Sequence, residues 1–327
     1  MTAPLAEFRL AQPSTVKDAV AACLKNPGSR FVAGGTDLLV NMRRGISSPD
    51  LLVDLSGIDE LTEIKTDKRS VTIGAGVTIA ALARNTVIAT QYRALAQAAE
   101  AIAGPGHRIM GTVGGNLCLD TRCIYYNQSE WWRNANAYCL KHRGDICHVA
   151  PQGQHCHAAY SGDLAPVLLV FGAEIDIAGA QGNRRISLSD LYVEDGKAHL
   201  ALADGELIVA VHLSSDPPPS GYAKVRVRAA IDFPLAGVAV ALAASGTNIS
   251  SLRIALTGTN SRPFLLAGTE TFAGRSVDEK LLQEIDRLVQ KQVQPMRTTV
   301  ASANYRRVAA AALARRLTAR LFAERMA

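Results

Sequence analysis

Apolar and polar positions alternate along this chain in a way that predicts mixed helix and strand with one long interruption. Residues 14–25 (STVKDAVAACLK) place Ala19, Val20, Cys23 and Leu24 on one helical face, with Ser14 or Thr15 as cap. Cys23 reads there as a small core residue. A buried strand over 30–33 runs into the turn Gly34-Gly35, after which Thr36 caps a helix through Met42 that stops near Gly45. Another strand covers 51–55, and residues 62–76 alternate as a hairpin arm ending in Gly74-Ala75-Gly76. Thr78 opens the next helix, and a further one covers 92–102. The segment GPGHRIMGTVGGN holds too many glycines for a regular element.

The pattern resumes at Asp163, which caps a helix (LAPVLLVF) with Pro166 tolerated in its first turn. AEIDIAG is a strand, GNRRISLSDL a turn into another, and ELIVAVHL an apolar strand ending in the linker DPPPSG. That linker marks a boundary near residue 217, giving expected domains of 1–217 and 218–327. The second holds strands (KVRVRAAIDFPLAGVAVALA, SLRIALTGTN) and helices at 278–292 and 301–324, an α+β layer. No internal repeat is visible.

With 48% hydrophobic and 20% charged residues, the 327-residue chain has the composition of a folded soluble protein. The net charge of +6 comes mostly from arginine. Arg306, Arg307, Arg315, Arg316 and Arg320 crowd the last helix without interleaved aromatics, which argues against a nucleic-acid surface. MTAPLAEFRL lacks the charged start and apolar run of a secretory leader, and no stretch reaches the roughly 20 apolar residues of a membrane span. The expected location is the cytoplasm, where cysteines stay reduced and a cysteine group reads as a metal site before a disulfide framework.

Two turns share one physical character. AGGTD (Ala33 to Asp37) and TVGGN (Thr112 to Asn116) each let backbone approach a ligand closely and aim successive N–H groups at it. The first precedes a helix start, whose positive end favours phosphate. Neither has the Rossmann spacing, and no P-loop is present.

The interruption is the most informative stretch. Asn116 to Asp163 holds five of the six cysteines and both tryptophans. Cys123, Cys139, Cys147 and Cys156 are spaced C-x15-C-x7-C-x8-C in a segment too polar to pack by itself. Thiolates converging on an iron–sulfur cluster or a zinc ion would cross-link it. His142, His148, His155 and His157 keep zinc in play, although no short C-x2-4-C knuckle occurs. Tyr125, Tyr126, Trp131, Trp132 and Tyr138 could shield a cluster from water or simply make the segment's own small core.

Together the AGGTD and TVGGN turns, the SGDLAP segment, the KVRVRAAIDFPLAGVAVAL strands and the closing YRRVAAAALARR helix resemble the flavin-carrying medium subunit of the xanthine oxidase family of molybdenum hydroxylases. The resemblance covers nearly the whole chain. It implies an α+β fold, with an FAD-binding region of two α/β subdomains before a C-terminal α+β domain. It also implies FAD contacts at Phe31, Val32, Ala33, Gly34, Gly35, Thr36 and Asp37, with the diphosphate nearest Gly34 to Thr36. Further contacts are implied at Ile102, Ala103, Thr112, Gly114, Gly115, Asn116 and Cys118. Asp163 would lie near the flavin nucleotide, Lys224 near the isoalloxazine, and Leu207 or Ile208 would make an apolar contact.

The long interval between Asn116 and Asp163 departs from typical members and resembles the flavin subunits of 4-hydroxybenzoyl-CoA reductases. In that branch the inserted loop, here about 119–158, carries a [4Fe-4S] cluster, which makes Cys123, Cys139, Cys147 and Cys156 its ligands and Cys118 a spare on the FAD side. The branch implies a large molybdopterin subunit and a small subunit with [2Fe-2S] clusters, assembled as a dimer of heterotrimers. Reduced ferredoxin would donate electrons for removing the phenolic hydroxyl of 4-hydroxybenzoyl-CoA, along a route through [4Fe-4S], FAD, [2Fe-2S] and molybdenum. No residue of this chain would touch the substrate. The alternative is a hydroxylase subunit that sends electrons outward to NAD or a quinone.

Overall fold

The computed structural model of the chain describes residues 5–326 and arranges them as three sheet-centred layers. The first four residues of the stretch read for a leader lie outside it.

The first layer runs β1 (Arg9–Ala11), α1 (Val16–Leu24), β2 (Arg30–Val32), α2 (Leu38–Arg43) and β3 (Leu51–Asp54), with a parallel sheet of order β1-β3-β2. The Thr15 hydroxyl accepts the Asp18 N–H at 3.1 Å and starts α1. Val16, Ala19 and Val20 then meet Leu51 and Val53 of the sheet, with Cys23 at the margin of this core.

The second layer contains β4 (Ile64–Thr66), β5 (Ser70–Gly74), α3 (Ile79–Arg84), α4 (Thr86–Gln91), α5 (Arg93–Ala101), α6 (Pro105–Arg108), α7 (Val113–Leu117), α8 (Glu130–Ala135), α9 (Leu164–Val170), β6 (Glu174–Gly179), β7 (Gly182–Ser187) and β8 (Leu207–Ser214). Its antiparallel sheet has the order β4-β5-β8-β6-β7. Val71, Ile73, Ile175, Ile177 and Val211 pack beneath Leu82, Leu95, Leu164 and Leu168 of the helices. The glycine-rich segment expected to be irregular instead forms α6 and α7. Pro105 fixes φ in the first turn of α6, and the Thr112 hydroxyl accepts the Gly115 N–H at 3.2 Å. The preset proline turn and the threonine cap offset the entropic cost of the glycines.

The third layer comprises β9 (Ser220–Val225), β10 (Ala236–Ser245), β11 (Asn248–Thr257), β12 (Phe264–Leu265), α10 (Glu279–Gln292) and α11 (Ala303–Met326). The sheet order is β12-β11-β10-β9. Strand β10 reads as an unbroken apolar run because both of its faces are covered. Val238, Val240 and Leu242 face Leu281, Ile285 and Ala314 of the closing helices, whereas Ala239 and Ala241 belong to the core of the second layer. Small residues on that second face let the layers approach closely. The proline-rich linker lies between β8, in the second sheet, and β9, in the third. Among the described residues no helix is long and apolar enough to cross a membrane.

Candidate functional site

The first glycine turn leaves β2 and enters α2. Gly35 has φ +65°, and a Cβ on Gly34 would run into the Met110 carbonyl, so both positions demand glycine. Among the described residues, the N–H groups of Gly34, Gly35, Thr36 and Asp37 donate to no protein acceptor. A run of free N–H groups at a helix start is an anion cradle. Asp37, not Thr36, stands at the helix cap, and its carboxylate caps nothing. It is instead drawn into an ion pair with Arg122 and accepts from the Asn41 amide at 3.1 Å.

The second glycine turn behaves differently from its sequence expectation. Val113, Gly114, Gly115 and Asn116 all give their N–H groups to protein acceptors, namely Val77 O, Ala75 O, the Thr112 hydroxyl and Thr112 O. Its N–H groups are thus already engaged within the protein, and the turn packs closely. A Cβ on Gly114 would stand 2.9 Å from that of Ala75.

The two turns are nevertheless neighbours. Gly34 lies on the Met110–Gly111 backbone, and Gly111 lies beside Thr36. From there contacts close a ring. Residues 105–110 lead back to Gly104, which packs on Ile231, and the Ile231 N–H donates to Ala103 O at 3.2 Å. Phe233 stacks under the Arg122 guanidinium at 4.8 Å, and Arg122 returns to Asp37. Ala103 and Ile231 both hold positive φ (43° and 52°), a strain of about 1–3 kcal/mol each that clusters at binding sites. Exposed Ile109, Met110, Val227, Ile231 and Phe233 give this ring apolar edges. Ile102 sits under it, its carbonyl accepting from Arg108 at 2.8 Å.

Asp163 stands at the N-cap position of α9, as expected, but its carboxylate makes no cap hydrogen bond. The Asn116 side-chain oxygen accepts the Leu164 N–H at 3.1 Å instead. This frees the Asp163 carboxylate to accept from the Tyr222 hydroxyl at 2.6 Å and to pair with Lys224 at 2.9 Å, both side chains of the pair being buried. Burial pushes the Asp163 carboxyl up, and the Lys224 ammonium and Tyr222 hydroxyl pull it back. Lys224 also donates to Asp232 O at 3.3 Å, at the base of the loop carrying Ile231 and Phe233. Ile208 and Leu207 lie in the cores of the second and first layers. Cys118 packs against the second-layer core, and burial pushes its thiol up to about 12.

The inserted segment is more organised than its polar composition suggests. Ser129 caps α8 by accepting the Trp132 N–H at 3.3 Å. Arg133, 1% exposed, donates to Gln128 O at 3.1 Å and Gly45 O at 2.9 Å, stitching the segment to the end of α2. Cys123, Cys139, Cys147 and Cys156 line one small cavity with Tyr125, Tyr126, Lys141 and His148. All six cysteines of the chain are free thiols, so the disulfide alternative is not realised. Burial raises the Cys123 thiol and pushes that of Cys156 up to about 12, so a bound cation would be needed to hold them as thiolates.

Of the candidate zinc histidines only His148 reaches the cavity, and its ring contacts the Tyr138 carbonyl. Among the described residues no group of three or more His, Cys, Asp or Glu is arranged to hold a metal ion. The four sulfurs face one shared space, and both a cluster and a zinc ion draw on thiolate ligands. Four cysteines round a partly aromatic wall fit a cluster with several irons. Trp131, expected among the shielding rings, is 77% exposed and shields nothing, whereas Tyr125 and Tyr126 do line the wall.

The insertion is held on every side. Arg122 ties it to the first glycine turn, the Ile124 N–H donates to Thr298 O at 2.9 Å, and the Ser261 hydroxyl donates to Cys156 O at 3.1 Å. Arg122, Arg133, Lys141, Tyr222 and Phe233 were not singled out from sequence. Only Arg122 and Lys141 carried a signal, as cations one and two residues from a candidate ligand.

Comparison with known proteins matches residues 6–215 to the FAD binding domain in molybdopterin dehydrogenase and residues 221–321 to the CO dehydrogenase flavoprotein C-terminal domain. The aldehyde oxidoreductase FAD-binding subunit PaoB of Escherichia coli is 34% identical over 282 residues, spanning 80% of this chain and 85% of its own. The carbon monoxide dehydrogenase medium chain of Afipia carboxidovorans is 27% identical over 317 residues, 96% of each chain. Reconstituted CO dehydrogenase from Oligotropha carboxidovorans superposes with a TM-score of 0.81 at 25% identity, covering 98% of this chain and 99% of that one. With this fold and these matches, the chain belongs to the FAD-binding subunits of the xanthine oxidase family of molybdenum hydroxylases, of the CO dehydrogenase medium-chain type, and is an oxidoreductase subunit.

Proposed function

We propose that the chain is a cytoplasmic electron-transfer subunit that holds FAD against the 33–37 turn and a [4Fe-4S] cluster on Cys123, Cys139, Cys147 and Cys156. One observation carries the reading: the four cysteines line a common cavity, and Arg122, next to Cys123, is ion-paired to Asp37 of the glycine turn. FAD would supply one- or two-electron exchange and the cluster one-electron exchange. The chain's own residues bind and orient. Gly34 to Asp37 offer N–H groups to a diphosphate, with Met110 and Gly111 packed against them and Thr112, Gly114, Gly115, Asn116 and Cys118 of the second turn following on as further contacts. Asp163, Tyr222 and Lys224 form a buried polar floor, and Ala103 with the 226–233 loop supplies apolar edges for a ring. Substrate chemistry belongs to a molybdopterin large subunit, beside a small [2Fe-2S] subunit, in a dimer of heterotrimers.

The relatives carry names built on an aldehyde, nicotine and carbon monoxide, as oxidoreductase, hydroxylase and dehydrogenase. They favour a hydroxylase whose substrate is oxidised on the large subunit, with electrons leaving to NAD or a quinone. The inserted cysteine cavity favours a second reading. A cluster added to the flavin subunit would suit a strongly reducing donor such as ferredoxin, as in reductive dehydroxylation of 4-hydroxybenzoyl-CoA to benzoyl-CoA.

Anaerobically purified complex tests both levels. Iron, sulfide and flavin analysis of the native chain and of Cys147→Ser should show iron in the insertion lost and flavin kept; unchanged iron sinks the ligand assignment. NAD or quinone reduction with an aldehyde series, set against ferredoxin-dependent formation of benzoyl-CoA, separates the two directions.

A further inference from the structure

We propose that Lys141 is a positioning residue that sets the reduction potential of the group held by the four cysteines. The inference rests on the cluster reading above and deepens it. Lys141 lines the same cavity as Cys123, Cys139, Cys147 and Cys156, and among the lining residues it is the one lysine or arginine. Its side chain is 5% exposed. The ammonium sits 4.8 Å over the Tyr126 ring and donates to Asp120 Oδ1 at 2.6 Å, to Gly196 O at 2.8 Å and to the Thr121 hydroxyl. This many acceptors fix a normally flexible chain end in one place. Asp120 does not line the cavity, and its side chain is 33% exposed. The positive end of the pair is therefore buried beside the sulfurs, while water screens the negative end.

A group ligated by four thiolates carries net negative charge, and one added electron makes it a unit more negative without making or breaking a bond. A cation buried against it favours that reduced state, because charge and burial tune cluster potentials. Lys141 accordingly raises the potential, and Asp120 moderates it by drawing on the ammonium. The neutral wall of Leu140, Val149 and Ala158 offers no competing charge.

The test is a dithionite redox titration, followed by electron paramagnetic resonance, of the anaerobic complex carrying wild-type, Lys141→Met, Lys141→Arg or Asp120→Asn chain. Lys141→Met should shift the midpoint to lower potential with iron and flavin content retained. Lys141→Arg should stay near wild type, and Asp120→Asn should shift upward because the ammonium loses its counter-charge. A Lys141→Met complex with full iron and an unmoved midpoint overturns the proposal. If Lys141→Met fails to load iron, an unmoved midpoint in Asp120→Asn overturns it equally. Wild-type complex without iron in this chain would instead overturn the cluster reading, a distinguishable failure.

Discussion

A buried histidine and a buried ion pair expose how this fold handles charge. His199 is 7% exposed, its Nε2–H donates to the Leu119 carbonyl at 3.0 Å, and burial lowers its pKa to about 4. A histidine whose folded value lies below its unfolded value near 6.5 binds fewer protons when folded. Its stabilisation is complete above that unfolded value and fades as pH falls towards 4. Going from pH 7 to pH 5 should therefore cost about 2 kcal/mol from this group. Urea unfolding at the two pH values should show that loss in the native protein, and a smaller one in His199→Gln. The Asp163–Lys224 pair behaves as a unit. Lys224→Met should destabilise by about 3–5 kcal/mol, because it leaves a buried carboxylate alone. Adding Asp163→Asn should recover part of that loss, and a double-mutant cycle in urea measures the coupling. Additive effects would show the pair to be energetically independent. Neither the pair nor its Tyr222 partner was legible in sequence. Asp163 before LAPVLLVF reads as a cap and does hold the N-cap position, but only the folded chain brings Asn116 round to accept the Leu164 N–H and leave the carboxylate free.

Local chemistry fixed most elements and failed where tertiary contacts compete. Thr15, Thr78 and Ser129 cap α1, α3 and α8 through their side chains, as short-range rules require. Thr36 loses the cap of α2 because Asp37, one residue on, is pulled by Arg122 from a segment about eighty residues away. The glycines of the 104–116 stretch hid two short helices, since propensity counts glycine as a breaker but cannot see Pro105 preset the first turn of one and Thr112 cap the other. The two glycine turns looked alike as sequence and differ in their N–H partners. Gly34→Ala should therefore cut flavin affinity at least tenfold, because the turn must pull off the Met110 backbone. Gly115→Ala, whose nearest new neighbour is the Thr112 hydroxyl at 3.1 Å, should cost less. Flavin titration of deflavinated protein ranks them, and the reverse order would sink the cradle assignment.

Across the whole molecule, the layers are joined by buried polar links as well as by apolar cores. Arg306 of α11 is fully buried with neutral partners: it donates to Leu235 O at 2.9 Å, Met296 O at 2.7 Å and the Thr298 hydroxyl at 3.0 Å, and also to Gly258 O. Arg307, Arg315, Arg316 and Arg320 of the same helix all keep some exposure, and Arg306 is the exception among them. Arg306→Leu strands these acceptors and should cost about 3 kcal/mol or more. Thermal unfolding followed by far-ultraviolet circular dichroism measures it. The loss should extend to the cysteine cavity, because Thr298 also holds Ile124.

That Thr298–Ile124 link, with the clasp of Ser261 on Cys156, has a consequence for biogenesis. The sulfurs lie within residues 123–156, yet two of the groups that hold them in place, Ser261 and Thr298, are synthesised more than a hundred residues later. A nascent polypeptide thus leaves the ribosome with its thiols still ungathered, and whatever they hold must be delivered to a finished apoprotein. A fragment ending at residue 217 should take up no iron from a donor that loads the complete chain.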